Sequence, residues 1–145
     1  MLNKNRPYSR IEINKVFAKV KAAMHAKAIL RGEKIGLDKA VYQDVYTGKQ
    51  LFGGDKYDYE HIRSAEDVFN TYKSTFTDQQ IALIVNCPEN VAVTISSLNN
   101  SKGKKRMEIW LKEEGNIELY GLDIKLTKSV LKKADIGIKR KANEL

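Results

Sequence analysis

The spacing of apolar residues changes period along this chain, and that change constrains the fold class. Ile13, Val16, Phe17, Val20 and Met24 recur at helical intervals and predict a helix over about residues 10–33. Ser9 and Glu12 stand at the two ends of a capping-box pattern at its start, and Gly32 and Gly36 mark its exit. At the other end, Leu126, Val130, Leu131, Ala134 and Ile138 predict a helix over about 125–142, with Lys and Arg on its outer side. Between the two, helical spacing is interrupted by extended pieces. "VYQDVYTGKQLFGGDKYDYEHI" reads as short extended segments around turns at Thr47-Gly48 and Gly53-Gly54-Asp55. "VAVTI", residues 91–95, is β-branched and apolar, hence a strand. Short helices are expected over about 65–74 and from the Thr77-Asp-Gln-Gln80 capping box to about Val85, where Pro88 follows as a stop. "NNSKGKKRMEIWLKEE" is expected to be one helix ended by Gly115, with Met107, Trp110 and Leu111 inward. The class is therefore α+β, in one domain over residues 1–145.

Composition excludes some functions and favours others. No apolar run approaches the roughly 18 residues needed to span a bilayer, and "MLNKNRPYSRIEINK" has no apolar signal-peptide core. The expected compartment is the cytoplasm, with no membrane partner. The single cysteine, Cys87, excludes both an internal disulfide and a multi-cysteine zinc knuckle, so no structural zinc is expected. The net charge of +8 is unevenly distributed. Residues 1–35 hold nine Lys/Arg against two Glu, residues 36–101 five against nine acidic residues, and residues 102–145 twelve against seven. Two basic flanks thus enclose an acidic middle. That arrangement suits a protein that grips a polyanion with its ends and keeps a cation near its centre.

The acidic middle contains "DYEHI", residues 58–62, with one of only two histidines in the chain. Strict alternation over 56–62 sends Tyr57, Tyr59 and His61 to one face and Asp58, Glu60 and Ile62 to the other. Glu60 and His61 could then serve one site only across a bend. The other histidine, His25, sits among alanines on the first helix and reads as structural or exposed. The tyrosines are open to two readings, core packing or stacking on a sugar or base.

In chain order these pieces run strand, strand, helix, with Glu60-His61 on the first strand, Asn90 before the second and Asn99 at the helix. "YTGK" (46–49), "YEHI" (59–62), "EN" (89–90) and "LNNSKG" (98–103) resemble the HNH nuclease family in its HNN variety. The resemblance covers residues 42–112 and leaves the basic arm at 1–36 and the basic helix at 116–145 outside it. It implies a ββα-metal core with an inserted helical segment, because Asn90 lies 29 positions after His61, a longer gap than compact members have. By the same resemblance His61 is a general base, Asn90 holds the loop that orients it, and Glu60 and Asn99 ligate one divalent metal, Mg²⁺ or Mn²⁺. Asp58 is a candidate outer partner, and Asn100 replaces Asn99 if the register slips by one. The chemistry is coherent. A near-neutral imidazole can take a proton from water at physiological pH, and a hard cation needs only one or two protein oxygens when phosphate and water supply the rest.

The implied function is metal-dependent DNA endonuclease activity, hydrolysing phosphodiester bonds in DNA that is expected to be double-stranded. Lys102, Lys104 and Lys105 are expected phosphate contacts beside the site, and Lys15, Lys19 and Lys27 on the first helix. Members of the family often act as dimers, so a homodimer is one expectation. The alternative reading is a non-catalytic nucleic-acid-binding protein, or a phage packaging or mobile-element accessory factor, on the same scaffold.

Overall fold

A computed structural model describes residues 2–145. It is a mixed α+β fold with two separate antiparallel strand pairs among helices. Helix α1 (Ile11–Lys34) is followed by the hairpin β1 (Val41–Gln43) and β2 (Gln50–Phe52). Strand β3 (Tyr57–His61) comes next, then α2 (Ala65–Tyr72), α3 (Asp78–Val85) and β4 (Val91–Ile95). Helices α4 (Ser96–Lys102), α5 (Met107–Trp110), α6 (Asn116–Tyr120) and α7 (Ile124–Asn143) complete the chain.

The helix ends show which local signals were obeyed. Thr77 and Gln80 form both arms of the capping box of α3. Ser64 caps α2 by accepting from the Asp67 amide at 3.1 Å, and Asp123 caps α7 by accepting from the Leu126 amide at 2.9 Å. The capping box expected at Ser9 does not form. Arg10 is the residue before α1, Ser9 Oγ accepts only from the Ile11 amide, and Glu12 turns outward to Lys15 at 3.2 Å. The long helix expected across 99–114 is broken in two. Gly103 adopts φ +53°, a left-handed conformation open to glycine, and ends α4 there. Helix α4 also begins earlier than expected, at Ser96, directly off β4. The short α6 had no sequence signal.

Strands β3 and β4 pair antiparallel, with Tyr57 opposite Ile95, Glu60 opposite Ala92 and His61 opposite Val91. In the chain, α2 and α3 lie between these two strands. One apolar cluster joins α1, α2, α3 and α7 through Ile13, Phe69, Ile81, Ile84 and Ile138. A second, around Tyr46, Leu98, Met107, Trp110 and Leu131, lies under α4, α5 and α7. A third, around Ala28, Tyr42, Leu51 and Val93, seats the hairpin against α1 and β4. Burying such side chains contributes roughly 1.5–3 kcal/mol each before the entropy of ordering them is subtracted.

The turn after β1 is fastened by Asp44, which is completely buried. Its carboxylate accepts from the amides of Tyr46, Thr47 and Ile95 and from the Thr94 hydroxyl. "YTGK" is therefore a structural turn tied to the end of β4. Asp44→Ala strands four donors, two of them buried and two part-buried. It is expected to lower stability by about 3 kcal/mol or more in urea unfolding, with the denaturant slope unchanged.

Candidate functional site

The register of β3 against β4 puts alternate residues of β3 on opposite sides. Asp58 and Glu60 turn toward α4, where Asp58 accepts from the Ser96 hydroxyl at 2.9 Å and from Asn99 Nδ2 at 3.0 Å. Asn99 Nδ2 is thereby engaged, and the amide oxygen is the end this bond leaves over. Asn100 is exposed and does not line the cleft that Asn99 lines. Helix α4 places Lys102 one turn beyond Asn99, and its ammonium meets Glu60 Oε2 at 3.3 Å. Both side chains are about 5 % exposed or less. Burial pushes the Glu60 carboxyl up, and the Lys102 charge opposes that shift. The Tyr46 phenol faces Glu60 and also favours its charged form. The pair nonetheless falls short of hydrogen-bond geometry, so Glu60 Oε1 and the Tyr46 hydroxyl are both buried without a partner. An orphaned carboxylate oxygen is an expensive thing to bury. The neighbour of this carboxyl in the interior is the Tyr46 hydroxyl, itself buried and unpaired.

His61 turns the other way, toward α1 and α3. Strand β3 runs without interruption to His61, and the bend comes one residue later, at Ile62–Arg63. His61 is 8 % exposed. Its ring lies 4.2 Å from that of Phe17 on α1, centroid to centroid. Its Nε2 is 2.8 Å from Asn86 Oδ1, and Asn86 Nδ2 donates to the carbonyls of Ile13 and Ala82. With both amide hydrogens used, Asn86 can present only its oxygen to the imidazole. Nε2 must therefore carry the proton, and Nδ1 keeps the lone pair. Sequence reasoning missed Asn86, because only the packing of α3 against β3 brings it to His61.

The near-neutral pKa expected for His61 is not found. Burial is the largest cause of a fall to about 4, and the positive charges of Arg10, Lys21 and Lys102 add to it, while the Asn86 hydrogen bond acts in the opposite sense. The imidazole is thus neutral throughout the physiological range.

Asn90 does not reach the cleft. It is fully buried, accepts from the Arg63 amide at 2.7 Å, and donates to the carbonyls of Arg63 and Val85. It fixes the two residues that follow His61. Arg63 itself is held by Glu108 through two hydrogen bonds and by Asp135, away from His61.

Glu60, His61, Asn99 and Lys102 line one cleft of about 200 Å³, with Arg10, Phe17, Tyr59 and Lys104 at its walls. Tyr59 is also bonded to the Tyr42 hydroxyl within the aromatic cluster of β1 and β3, so it serves core and cleft together. The first helix is not a free arm, since it packs on α3 and β1. Lys15, Lys19 and Lys27 are exposed, yet none of them lines this cleft. At about 100° per residue, Lys15 and Lys19 project from α1 about 160° away from Phe17. Arg10 and Lys21 share the Phe17 side, and Lys21 lies 4.5 Å over the Phe17 ring. Lys105 is engaged with Glu113.

Among the described residues no group of three or more His, Cys, Asp or Glu side chains is placed to hold a metal, and no helix is long and apolar enough to cross a membrane. No family model, curated protein or solved structure matches the chain.

The buried imidazole gives a pH dependence with a definite sign. Unfolded histidine titrates near 6.5 and folded His61 near 4. Between those values the unfolded chain takes up a proton that the folded chain refuses, so acid favours unfolding. The contribution is intact above pH 6.5 and is lost as pH falls toward 4, by about 3 kcal/mol. His61→Gln is expected to flatten this part of the stability–pH curve. Long-range ¹H–¹⁵N NMR at pH 7 should show the neutral ring protonated at Nε2; a proton on Nδ1 would remove the base assigned below.

Proposed function

We propose that the chain is a metal-dependent DNA endonuclease of the HNH type, in which β3, β4 and α4 form a ββα-metal core. The observation that supports this reading is that Glu60, His61 and Asn99 line one cleft walled by Arg10 and Lys104. The Asn99 oxygen is left over by the Asp58 hydrogen bond, and Nδ1 is the nitrogen of His61 not committed to Asn86. Glu60 and Asn99 would hold one Mg²⁺ or Mn²⁺. When bound, the cation supplies charge stabilisation at the leaving oxygen of the phosphodiester.

The chain's own residues do the remainder. His61 Nδ1 accepts the proton of the attacking water, and the Asn86 hydrogen bond keeps the other nitrogen protonated so that the lone pair stays on Nδ1. Arg10 and Lys104 at the cleft walls would neutralise the charge of a scissile phosphate, while Lys102, expected as a further contact, is held inside by Glu60. An entering phosphate also offsets the cations that depress His61, so the base strengthens when substrate arrives. Asp58 holds the Asn99 amide by its nitrogen, and Asn90 fixes the backbone behind His61.

Two measurements test the reading. In a plasmid-nicking assay with Mg²⁺ or Mn²⁺, His61→Ala should lose roughly a hundredfold or more of the cleavage rate while DNA affinity stays close to wild type, and EDTA should abolish cleavage. Normal cutting by His61→Ala sinks the assignment. No cleavage by wild type, with DNA binding retained, favours the non-catalytic binding module. In the second measurement, replacing Arg10 and Lys104 together by Gln should reduce the slope of log K against log salt by about 2. Replacing Lys15, Lys19 and Lys27 should change it less, because none of them lines the cleft. A larger effect from the lysines would place the DNA on the far side of α1.

A further inference from the structure

Helix α7 carries a charge pattern that neither the core nor the cleft uses. Its apolar side, with Leu131, Ala134, Ile138 and Ala142, is buried in the interior. On the outside, Lys125, Lys128, Lys132 and Lys139 are all exposed. At about 100° per residue these four fall within an arc of about 60°, in a stripe about 21 Å long. Among the described residues none of the four is within ion-pair distance of a carboxylate. Like charges three and four residues apart disfavour a helix, so α7 carries this stripe against a local cost. The nearby acids do not neutralise it. Asp135 on the same helix and Glu108 on α5 both hold the Arg63 guanidinium.

The stripe is also placed beside the cleft. Lys128, Lys132 and Lys139 line an open groove that contains the Arg63 cluster. Lys139 and Arg63 line the adjoining hollow as well, together with Arg106. Ser64, the residue after Arg63, and Lys104, two residues before Arg106, belong to the cleft of His61. Groove, hollow and cleft therefore succeed one another around residues 63–64 and 104–106, and exposed cations border all three.

We infer that the α7 stripe is a DNA-binding face, continuous with the cleft by way of Arg106, that holds the backbone of a duplex. This rests on the DNA partner of the reading above and on no part of its chemistry: it needs neither cleavage nor a metal. Charge complementarity selects a polyanion, and a duplex carries one phosphate charge per roughly 1.7 Å of its axis. Two observations select the duplex among polyanions. The groove beside the stripe has no aromatic side chain, so the bases of a single strand would find nothing there to stack on. A membrane surface would need an apolar helix face to bury. That face of α7 is already inside, and Ile136 is its one exposed large apolar residue. Phosphate contacts of this kind set affinity and position rather than sequence preference.

The test is binding of a short fluorescent DNA duplex by the intact chain, followed by anisotropy across a salt series without added metal. One variant combines Lys128→Gln, Lys132→Gln and Lys139→Gln. A charge-matched control combines Lys34→Gln, Lys39→Gln and Lys56→Gln, at exposed positions that line none of the three surfaces. The α7 variant should lose about 3 from the slope of log K against log salt, and the control less than about 1. Equal slopes in the two variants overturn the inference, as does a wild-type chain that fails to bind the duplex. Binding to vesicles of anionic phospholipid through these lysines, without duplex binding, overturns it in favour of a membrane surface. The variant with Arg10 and Lys104 replaced by Gln, measured alongside, separates this inference from the cleft reading. A slope lost there but kept in the α7 variant removes the α7 face and leaves the cleft reading standing. The reverse result keeps the α7 face and removes the phosphate contacts of the cleft.

Discussion

The side chain of Asn90 has no exposure to solvent, and both of its polar ends are engaged. It joins three parts of the chain that are otherwise independent: the residues that leave β3, the end of α3, and the start of β4. Its own carbonyl accepts from the Ile62 amide at 2.9 Å, which closes the end of the β3–β4 ladder. That ladder decides everything in the cleft, because side-chain direction in a strand alternates with a period of two. A slip of one residue would turn Glu60 away from Lys102 and His61 away from Asn86. The two helices between β3 and β4 would loosen such a register if nothing tied their ends. Asn90 ties them, and α3 in return carries Asn86 to the imidazole.

The electrostatics of the cleft follow from that frame. One buried carboxylate, Glu60, lies among Lys102, Arg10 and Lys104, with His61 close by. Burial works against charge on both titratable groups, and it moves them oppositely: Glu60 up and His61 down. Both shifts have one leading cause, burial opposing the charged form. Helix α1 takes part as a wall. Phe17 covers the His61 ring, and Ile13 supplies a carbonyl to Asn86. The basic first helix therefore supports the site first, and only its Arg10 and Lys21 side adds charge near it.

Much of this was legible in the sequence because it was local. Thr77 and Gln80 announced α3, the β-branched run 91–95 announced β4, and the apolar spacing from Leu126 to Ile138 announced α7, which runs from Ile124 to Asn143. The candidate residues Glu60, His61 and Asn99 came from the resemblance to HNH nucleases, with Lys102 added beside them, and the four line one cleft. What was not legible was non-local. Asn86 gives no signal in its own neighbourhood, and its role exists only because α3 packs on β3. The Glu60–Lys102 pair spans 42 residues. Ser9 resembled a cap by pattern, but Glu12 found Lys15 at the surface. Gly103 had weakened the long-helix expectation, and its left-handed backbone is where that helix breaks.

The claim on which the account turns is that Glu60 and Asn99 together bind a divalent cation beside His61. The direct measurement is X-ray anomalous scattering at the manganese edge, on crystals of the intact chain grown with Mn²⁺ and a short DNA duplex. The account predicts one strong anomalous peak per chain within coordination distance of Glu60 Oε1 and the Asn99 amide oxygen. A cleft without a peak, with Lys102 still on Glu60 and DNA bound elsewhere, would contradict it.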